Sequence, residues 1–393
     1  MGDPWLSIIG MADDSATNLP LASRAALDAA EVIFGGPRHL ELAKAGMRGR
    51  AWPIPFSIEP VLAHRGKRVA VLASGDPFWF GAGGSLSAHV PPDEWRVFPA
   101  PSTFSLIACH LGWRLEETTC HGLHAAPFAR LRGALAPRAQ MICLVRDADA
   151  PRALARWLTE TGAGDAEIWV CERMGSAAQK VRQAKAAAFD LDDISAPVAV
   201  AIALPDNIGL SRASGLPDET FTHDGQITKR PIRALTLSAL APRRNELLWD
   251  IGAGSGSISV EWCLAGGRAI AFEQRAERVA NIAQNIKDFG IGHRMSVVHG
   301  DASPALHDHP LPAAVFVGGG GNTALFDRLF DLLPKGTRIV ANGVTLETES
   351  LLAQLQSGKG GDLLRVELAQ AAPLGRMRGW QSARPVVQWS VTL

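Results

Sequence analysis

Leu247-Leu248-Trp249-Asp250-Ile251-Gly252-Ala253-Gly254-Ser255-Gly256-Ser257 decides the fold of this chain. A buried-strand pattern runs directly into a G-x-G-x-G loop, and a helical run, Ile258 to Leu264, follows. Glycines are needed there because the backbone must turn sharply and approach a ligand with no Cβ in the way. Ser257 is placed to cap the helix. Nicotinamide enzymes share the logic of such a loop, so the residues around it must decide the ligand.

Downstream, Ala269 to Glu273 forms a strand ending in an acid, which suits acceptance of both ribose hydroxyls. Ser296 to Ala302 forms another strand pattern, with Asp301 placed to accept from an adenine amino group and the Ala302 N–H facing a ring nitrogen. Ala313 to Val317 forms a further strand that opens into Gly318-Gly319-Gly320-Gly321-Asn322. Glycine loop, acid, acid and glycine run then line the crevice where open α/β sheets bind ligands. This ordered set resembles the class I S-adenosylmethionine methyltransferases. The resemblance implies cofactor contacts at Asp250, Gly252, Gly254, Gly256, Ser257, Glu273, Asp301, Ala302 and Gly318. A nicotinamide loop would have the longer G-x-G-x-x-G form.

In the other half, Leu6 to Gly10, Arg68 to Ala73, Gln140 to Val145, Ala166 to Cys171 and Pro197 to Leu204 read as strands, and Ser23 to Val32 as a helix. The strand at Arg68 runs into Ser74-Gly75-Asp76-Pro77, with Phe78, Trp79 and Phe80 beyond as a flat apolar wall. This segment resembles the S-G-D-P loop of the tetrapyrrole methylases, the class III methyltransferases. Ala26 to Leu40, ending Gly35-Gly36-Pro37-Arg38-His39-Leu40, resembles the first helix and turn of their precorrin C5-methylating branch. Pro99-Ala100-Pro101-Ser102-Thr103 resembles their cofactor-contacting turn, and His121-Gly122 falls where that branch has the same pair. The resemblance implies cofactor contacts at Gly75, Asp76, Ser102 and Thr103. Two departures stand out: the glycine-rich first loop of the family reads Gly10-Met11-Ala12-Asp13-Asp14 here, and Ala100 replaces the turn glycine.

The expected architecture is therefore α/β, a two-lobed tetrapyrrole methylase fold followed by a Rossmann-like class I domain with a mostly parallel sheet. Residues 1–206 form the first domain, 207–226 a polar, turn-rich linker and 227–393 the second domain. Class III followed by class I resembles the bifunctional precorrin-6 methyltransferases of cobalamin biosynthesis. Thr228-Lys229-Arg230-Pro231-Ile232-Arg233-Ala234 resembles the segment that leads into their decarboxylating domain. The resemblance implies one S-adenosylmethionine per domain, with methylation of meso carbon 5 by the N-terminal half. The C-terminal half would methylate carbon 15 and decarboxylate an acetate side chain, giving precorrin-8. Such transfer is largely a matter of positioning, so no acid–base dyad is expected. A substrate ringed by carboxylates needs cations, and Lys229, Arg230, Arg233, Arg376 and Arg378 are the candidates. The reacting acetate is expected in an apolar pocket near Asn322, and Trp79 and Trp380 are candidates to flank the flat ring.

Composition narrows the rest. The chain of 393 residues is 47% hydrophobic and 20% charged, and 39 basic residues balance 39 acidic ones. That neutrality argues against a nucleic-acid partner. A rival class I RNA or small-molecule methyltransferase with a non-catalytic tetrapyrrole-binding half fits the balance less well. The five scattered cysteines form no C-x-x-C pair, and His307-Asp308-His309 lies between prolines, so neither a disulfide framework nor a metal site is expected. Met1 to Trp5 lacks a signal-peptide pattern, and Val198 to Leu204 is far short of the ~20 residues a bilayer requires. A cytoplasmic, membrane-free homo-oligomer, a tetramer among the candidate assemblies, is expected.

Overall fold

Short apolar runs bounded by glycine become strands buried on both faces, the pattern that parallel sheets demand. The computed structural model describes residues 4–12 and 19–393, so Asp13 and Asp14 of the altered first loop lie outside the described residues. One compact unit comprises the chain up to Phe128 with Leu135–Ile208; the other comprises Ala129–Ala134 with Gly209–Leu393.

In the first unit, β1 (Leu6–Met11), β2 (Val32–Gly35), β3 (Gly49–Ala51), β4 (Val69–Ser74) and β5 (Trp95–Phe98) form a parallel sheet ordered β3-β2-β4-β1-β5. Alternate residues face opposite sides: Leu6, Ile8, Val69 and Val71 pack on one, Ile9, Met11, Ala70 and Leu72 on the other. A second, mixed sheet, ordered β6-β7-β10-β8-β9, contains β6 (Thr118–Gly122), β7 (Gln140–Leu144), β8 (Glu167–Glu172), β9 (Lys180–Lys185) and β10 (Val198–Ala203). The helix expected to reach Val32 ends at Ala29. Glu31 N and Val32 N both donate to Arg68 O, and Val32, Ile33 and Phe34 pair with β4. Sheet pairing thus overrides the helical pattern, and Ala26 to Leu40 holds a helix end, a strand and the start of the helix Pro37–Leu42.

The second unit is built on β11 (Leu247–Ile251), β12 (Arg268–Glu273), β13 (Met295–His299), β14 (Ala314–Val317), β15 (Arg338–Gly343), β16 (Asp362–Val366) and β19 (Val386–Thr392). Their order is β13-β12-β11-β14-β15-β19-β16, parallel up to β15 and antiparallel at β19. Strand order reverses between β11 and β14, so a ligand crevice is expected at the carboxyl ends of these two strands. Between β16 and β19 the chain makes a separate hairpin, β17 (Ala369–Leu374) and β18 (Met377–Ser382). Its Leu374, Met377 and Trp380 are strongly exposed. No helix among the described residues is long and apolar enough to cross a membrane.

The stretch 207–226 does not behave as a linker. From Gly209 it belongs to the second unit, and its Leu216 and Phe221 are core residues there. The cause is a buried cation. Arg233, expected at the substrate, is fully buried, and its Nε donates to Glu261 Oε1 at 2.6 Å. Its Nη1 donates to Asp218 Oδ1 at 3.0 Å and to Thr228 O, Nη2 donates to Leu216 O, and the guanidinium lies over the Phe221 ring. Glu261 also accepts from Gly215 N and Leu216 N at 2.7 and 2.9 Å. Asn285, equally buried, accepts from Thr222 N and donates to Thr222 O and Ser255 O, joining this stretch to the glycine loop. Arg233 is therefore a fold-determining residue. Removing one partner of such a pair strands the other charge, at a cost of about 3–5 kcal/mol. Arg233→Ala is expected to lower the stability of the second unit by that order in urea titration and to open residues 209–228 to proteolysis. An unchanged transition would count against this role.

Candidate functional site

In the second unit the loops after β11 and β14 cross backbone to backbone. A Cβ on Gly252 would lie 2.4 Å from Gly319 O, and the Gly252 φ of +67° also excludes most side chains. Gly252 N and Ala253 N are tied to Phe272 O at 3.0 and 3.1 Å, which fixes the loop over the end of β12. A cavity of about 440 Å³ lies there, lined among others by Gly252, Glu273, Asp301, Ala302, Gly319 and Asn322. Gln274, Arg275 and Arg278 complete its polar side, and Phe272 and Leu325 its apolar side.

The acids take different parts. Glu273 is buried; Oε2 accepts from Gly254 N at 2.8 Å and Oε1 from Arg275 N at 3.0 Å, so it braces the glycine loop while bordering the cavity. Each carboxylate oxygen retains a lone pair for a ligand hydroxyl. Asp301 caps the short helix Ala302–Ala305 through Ser303 N at 3.0 Å, with acceptor capacity left at the rim. Asp250 is fully buried and does not line the cavity. Ser259 Oγ donates to its Oδ2 at 2.6 Å, whereas Oδ1 and the buried Ser255 Oγ find no partner among the described residues. Burial pushes the Asp250 carboxyl up to about 6; the Ser259 hydrogen bonds oppose this and the nearby Glu273 charge adds to it. A glycine-walled cleft with two acids on its lining fits an adenosyl ligand carrying positive charge, which describes S-adenosylmethionine.

Several expected contacts are corrected. Gly256, not Ser257, is the helix N-cap, in the left-handed region; Ser257 is the first helical residue and its side chain makes no capping bond. Gly254 and Gly256, with φ near +60° and +72°, shape the loop without lining the cavity. Gly318 donates to Ile251 O at 2.9 Å behind the crossing, and Gly319 and Gly320 form the wall instead. Asn322 does line it, and caps the helix Thr323–Leu332 by accepting from Leu325 N at 2.9 Å. Lys229 pairs with Asp218 at 3.6 Å, Arg230 is exposed at the start of the helix Arg230–Leu240, and Arg376 and Arg378 are exposed on the β17–β18 hairpin with Trp380.

The first unit has its own crossing. A Cβ on Gly10 would lie 1.9 Å from Gly75 O, and one on Gly75 would lie 2.6 Å from Ser102 Cα. Gly75 N donates to Met11 O at 2.8 Å, and Ala100 N donates to Gly75 O at 3.3 Å. Beside this knot lies a cavity of about 200 Å³ walled by Gly75, Pro101, Thr103, Arg38 and Arg146. An adjoining cavity of about 270 Å³ is aromatic, with Trp52, Phe56, Trp79 and Phe80. Ser74, Thr103, His124 and Leu144 line both. Ser102 borders the aromatic cavity, but its hydroxyl caps the helix Thr103–Leu111 through Ser105 N at 3.1 Å. Asp76 lines neither cavity; it accepts from Phe78 N at 2.8 Å and holds its own turn. His39 Nε2 lies 3.0 Å from Ser74 Oγ.

Sequence reasoning gave no role to Arg38, His39, His124 and Arg146 in the first unit, or to Arg275 and Arg278 in the second. The G-P-R-H motif and the His121-x-x-His124 spacing were the available signals for three of them. His307-Asp308-His309 lies in a short turn, with the His309 ring against Phe272.

Comparisons agree with this division. Residues 6–190 match the model of the tetrapyrrole (corrin/porphyrin) methylases, and residues 219–393 that of the precorrin methyltransferase domain. A Sinorhizobium relative named precorrin-6Y C(5,15)-methyltransferase [decarboxylating] is 43% identical over 99% of this chain and 96% of its own. A Pyrobaculum aerophilum relative, named probable cobalt-precorrin-6B C(15)-methyltransferase (decarboxylating), is 36% identical over 40% of this chain and 82% of its own. The crystal structure of the C-terminal domain of precorrin-6Y C5,15-methyltransferase from Rhodobacter capsulatus is 63% identical, covers 47% of this chain and all of that one, and superposes with a TM-score of 0.46. With a relative of this identity along its whole length, the chain belongs to the family of decarboxylating precorrin-6Y C5,15-methyltransferases.

Proposed function

We propose that this protein methylates a precorrin-6 tetrapyrrole at two meso carbons and removes one acetate carboxyl, giving precorrin-8 in cobalamin biosynthesis. The first unit acts at carbon 5; the second acts at carbon 15 and decarboxylates. Each unit takes its own S-adenosylmethionine. The observation that carries the reading is the pair of glycine crossings, Gly10 on Gly75 and Gly252 on Gly319, each beside its own cavity. The Pyrobaculum relative supports the division, because its name joins C15 methylation to decarboxylation in a protein matching 40% of this chain.

The cofactor supplies an electrophilic methyl group. In the second unit Glu273 and Asp301 bind and orient the nucleoside, and the apolar side of the cavity, with Phe272 and Leu325, excludes water. Asp250, held by Ser259 outside the cavity lining, acts on the cationic end through its charge and not by contact. The cavity also carries Arg275 and Arg278, the latter already paired with Asp224 Oδ2 at 2.9 Å. An acetate held beside Asn322 on the Leu325 side avoids tight cationic pairing, so the electrons released with carbon dioxide flow into the macrocycle. Substrate carboxylates are left to Arg230, Lys229, Arg376 and Arg378, since Arg233 is committed to the fold. The lead-in segment passes close to the glycine loop, with Gln226 O 3.7 Å from where a Gly254 Cβ would stand, which favours Lys229 and Arg230. The exposed apolar hairpin with Leu374, Met377 and Trp380 supports self-association into a homo-oligomer.

Incubation of the full-length chain with precorrin-6 substrate and cofactor is expected to add two methyl groups and release one carbon dioxide, read by mass spectrometry. No mass change would sink the assignment. Gly252→Val should abolish one methylation together with carbon dioxide release and leave the other, whereas Gly75→Val should do the converse. Asp250 adds a pH signature. Its carboxyl ionises through about pH 6 and its charged form favours a cationic ligand, so affinity at the second unit should rise from pH 5 to 7 and then level. Calorimetry of Asp250→Asn should show weaker, pH-flat binding at that unit; a profile still rising would rule out the Asp250 charge as its source.

A further inference from the structure

Replacing hydrogen by methyl on a meso carbon releases a proton, and that proton needs an acceptor at the point of transfer. In the first unit the flat aromatic cavity suits a macrocycle, and the cavity at the glycine knot suits the methyl donor. Transfer then occurs at their shared wall, formed by Ser74, Thr103, His124 and Leu144. Ser74 ends β4 with its side chain exposed there, and its hydroxyl is 3.0 Å from His39 Nε2. His39 itself lines the aromatic cavity, carried by the helix Pro37–Leu42 whose N-cap is Gly36.

We propose that Ser74 and His39 form the proton relay of the first unit's methylation, with Ser74 at the substrate and His39 acting through it as a positioning and proton-passing residue. The inference rests on the reading that this unit methylates a meso carbon. The carbon's π pair forms the new bond to methyl as the donor's carbon–sulfur bond breaks, its pair leaving on sulfur. The meso carbon–hydrogen bond then breaks, and its pair restores the double bond of the cationic macrocycle. The proton passes to Ser74 Oγ while the hydroxyl proton moves to His39 Nε2, and the imidazolium, acidic in this setting, passes it on to solvent. The relay requires the tautomer with the hydrogen on Nδ1.

The surroundings favour a neutral, accepting ring. Burial, and then the Arg38 charge, lower the imidazole to about 4, so Nε2 carries a lone pair at neutral pH. The other titratable or charged groups lining the two cavities are Arg38 on the same helix, His124 after β6, Arg146 after β7 and Cys171 on β8, whose thiol burial keeps protonated. Among the residues lining them there is no carboxylate to take the proton instead.

The test uses the full-length chain, precorrin-6 substrate and site-resolved product analysis. His39→Gln keeps a partner for Ser74 yet accepts no proton. It should slow methylation by the first unit on the order of 100-fold while C15 methylation, decarboxylation and S-adenosylhomocysteine affinity stay as in the wild type. In His39→Ala, added imidazole should restore the rate in proportion to its free-base fraction. Ser74→Ala should lose the rate without imidazole rescue. A His39→Gln chain as fast as wild type, or one whose loss lies wholly in KM, overturns the relay alone. A wild-type chain that never methylates at the first unit overturns the reading of that unit and the relay with it.

Discussion

Two loops must cross at the carboxyl end of a parallel sheet with no side chain between them, and the rest of this protein is arranged around that constraint. At the second unit's crossing, Gly252 and Gly319 bring their backbones to a separation that a single methyl group would prevent. The crossing closes the floor of the crevice at the reversal of strand order, leaving the rims to the strand-end acids. The first unit meets the same demand with Gly10, Gly75 and the Ser102 backbone. Substituting either floor would therefore fill the cavity and displace a sheet end at once.

The units then diverge in the chemistry they place above the crossing. The second offers the carboxylates of Glu273 and Asp301. The first offers aromatic faces, histidines and arginines, and its motif acid Asp76 is turned to its own backbone. On the proposed reading, each unit holds its methyl donor by different means, as befits two folds that share no topology.

Much of this was legible in the residues. Central parallel strands announce themselves as apolar runs because both faces are covered, and β1, β4, β11 and β12 were readable for that reason. The glycine loop and the acids Glu273 and Asp301 followed from strand ends alone. Edge elements were not: β16, β17 and β18 alternate weakly and are largely exposed, so they carry no distinct period. Arg233 was misplaced because sequence shows a cation in a motif but not a carboxylate 28 positions later. Ser257 was misplaced by one residue, since a left-handed glycine cap removes the need for a side-chain cap. His39 and Ser74, 35 positions apart, meet only when β4 lies beside β2 and the helix that follows it.

The fastening of residues 209–228 bears on how the second unit can be handled apart from the first. A shortened chain beginning at Ile227 would discard Leu216, Phe221 and Asp218. Glu261 would lose two backbone donors, Arg233 an anion and an aromatic lid, and Asn285 its tie to Thr222. Such a fragment would expose apolar core and two poorly matched buried charges, a recipe for inclusion bodies. A cut near Gly209, where the compact unit resumes, keeps every one of those partners. The piece that looked like spare rope between two machines is one of the bolts of the second.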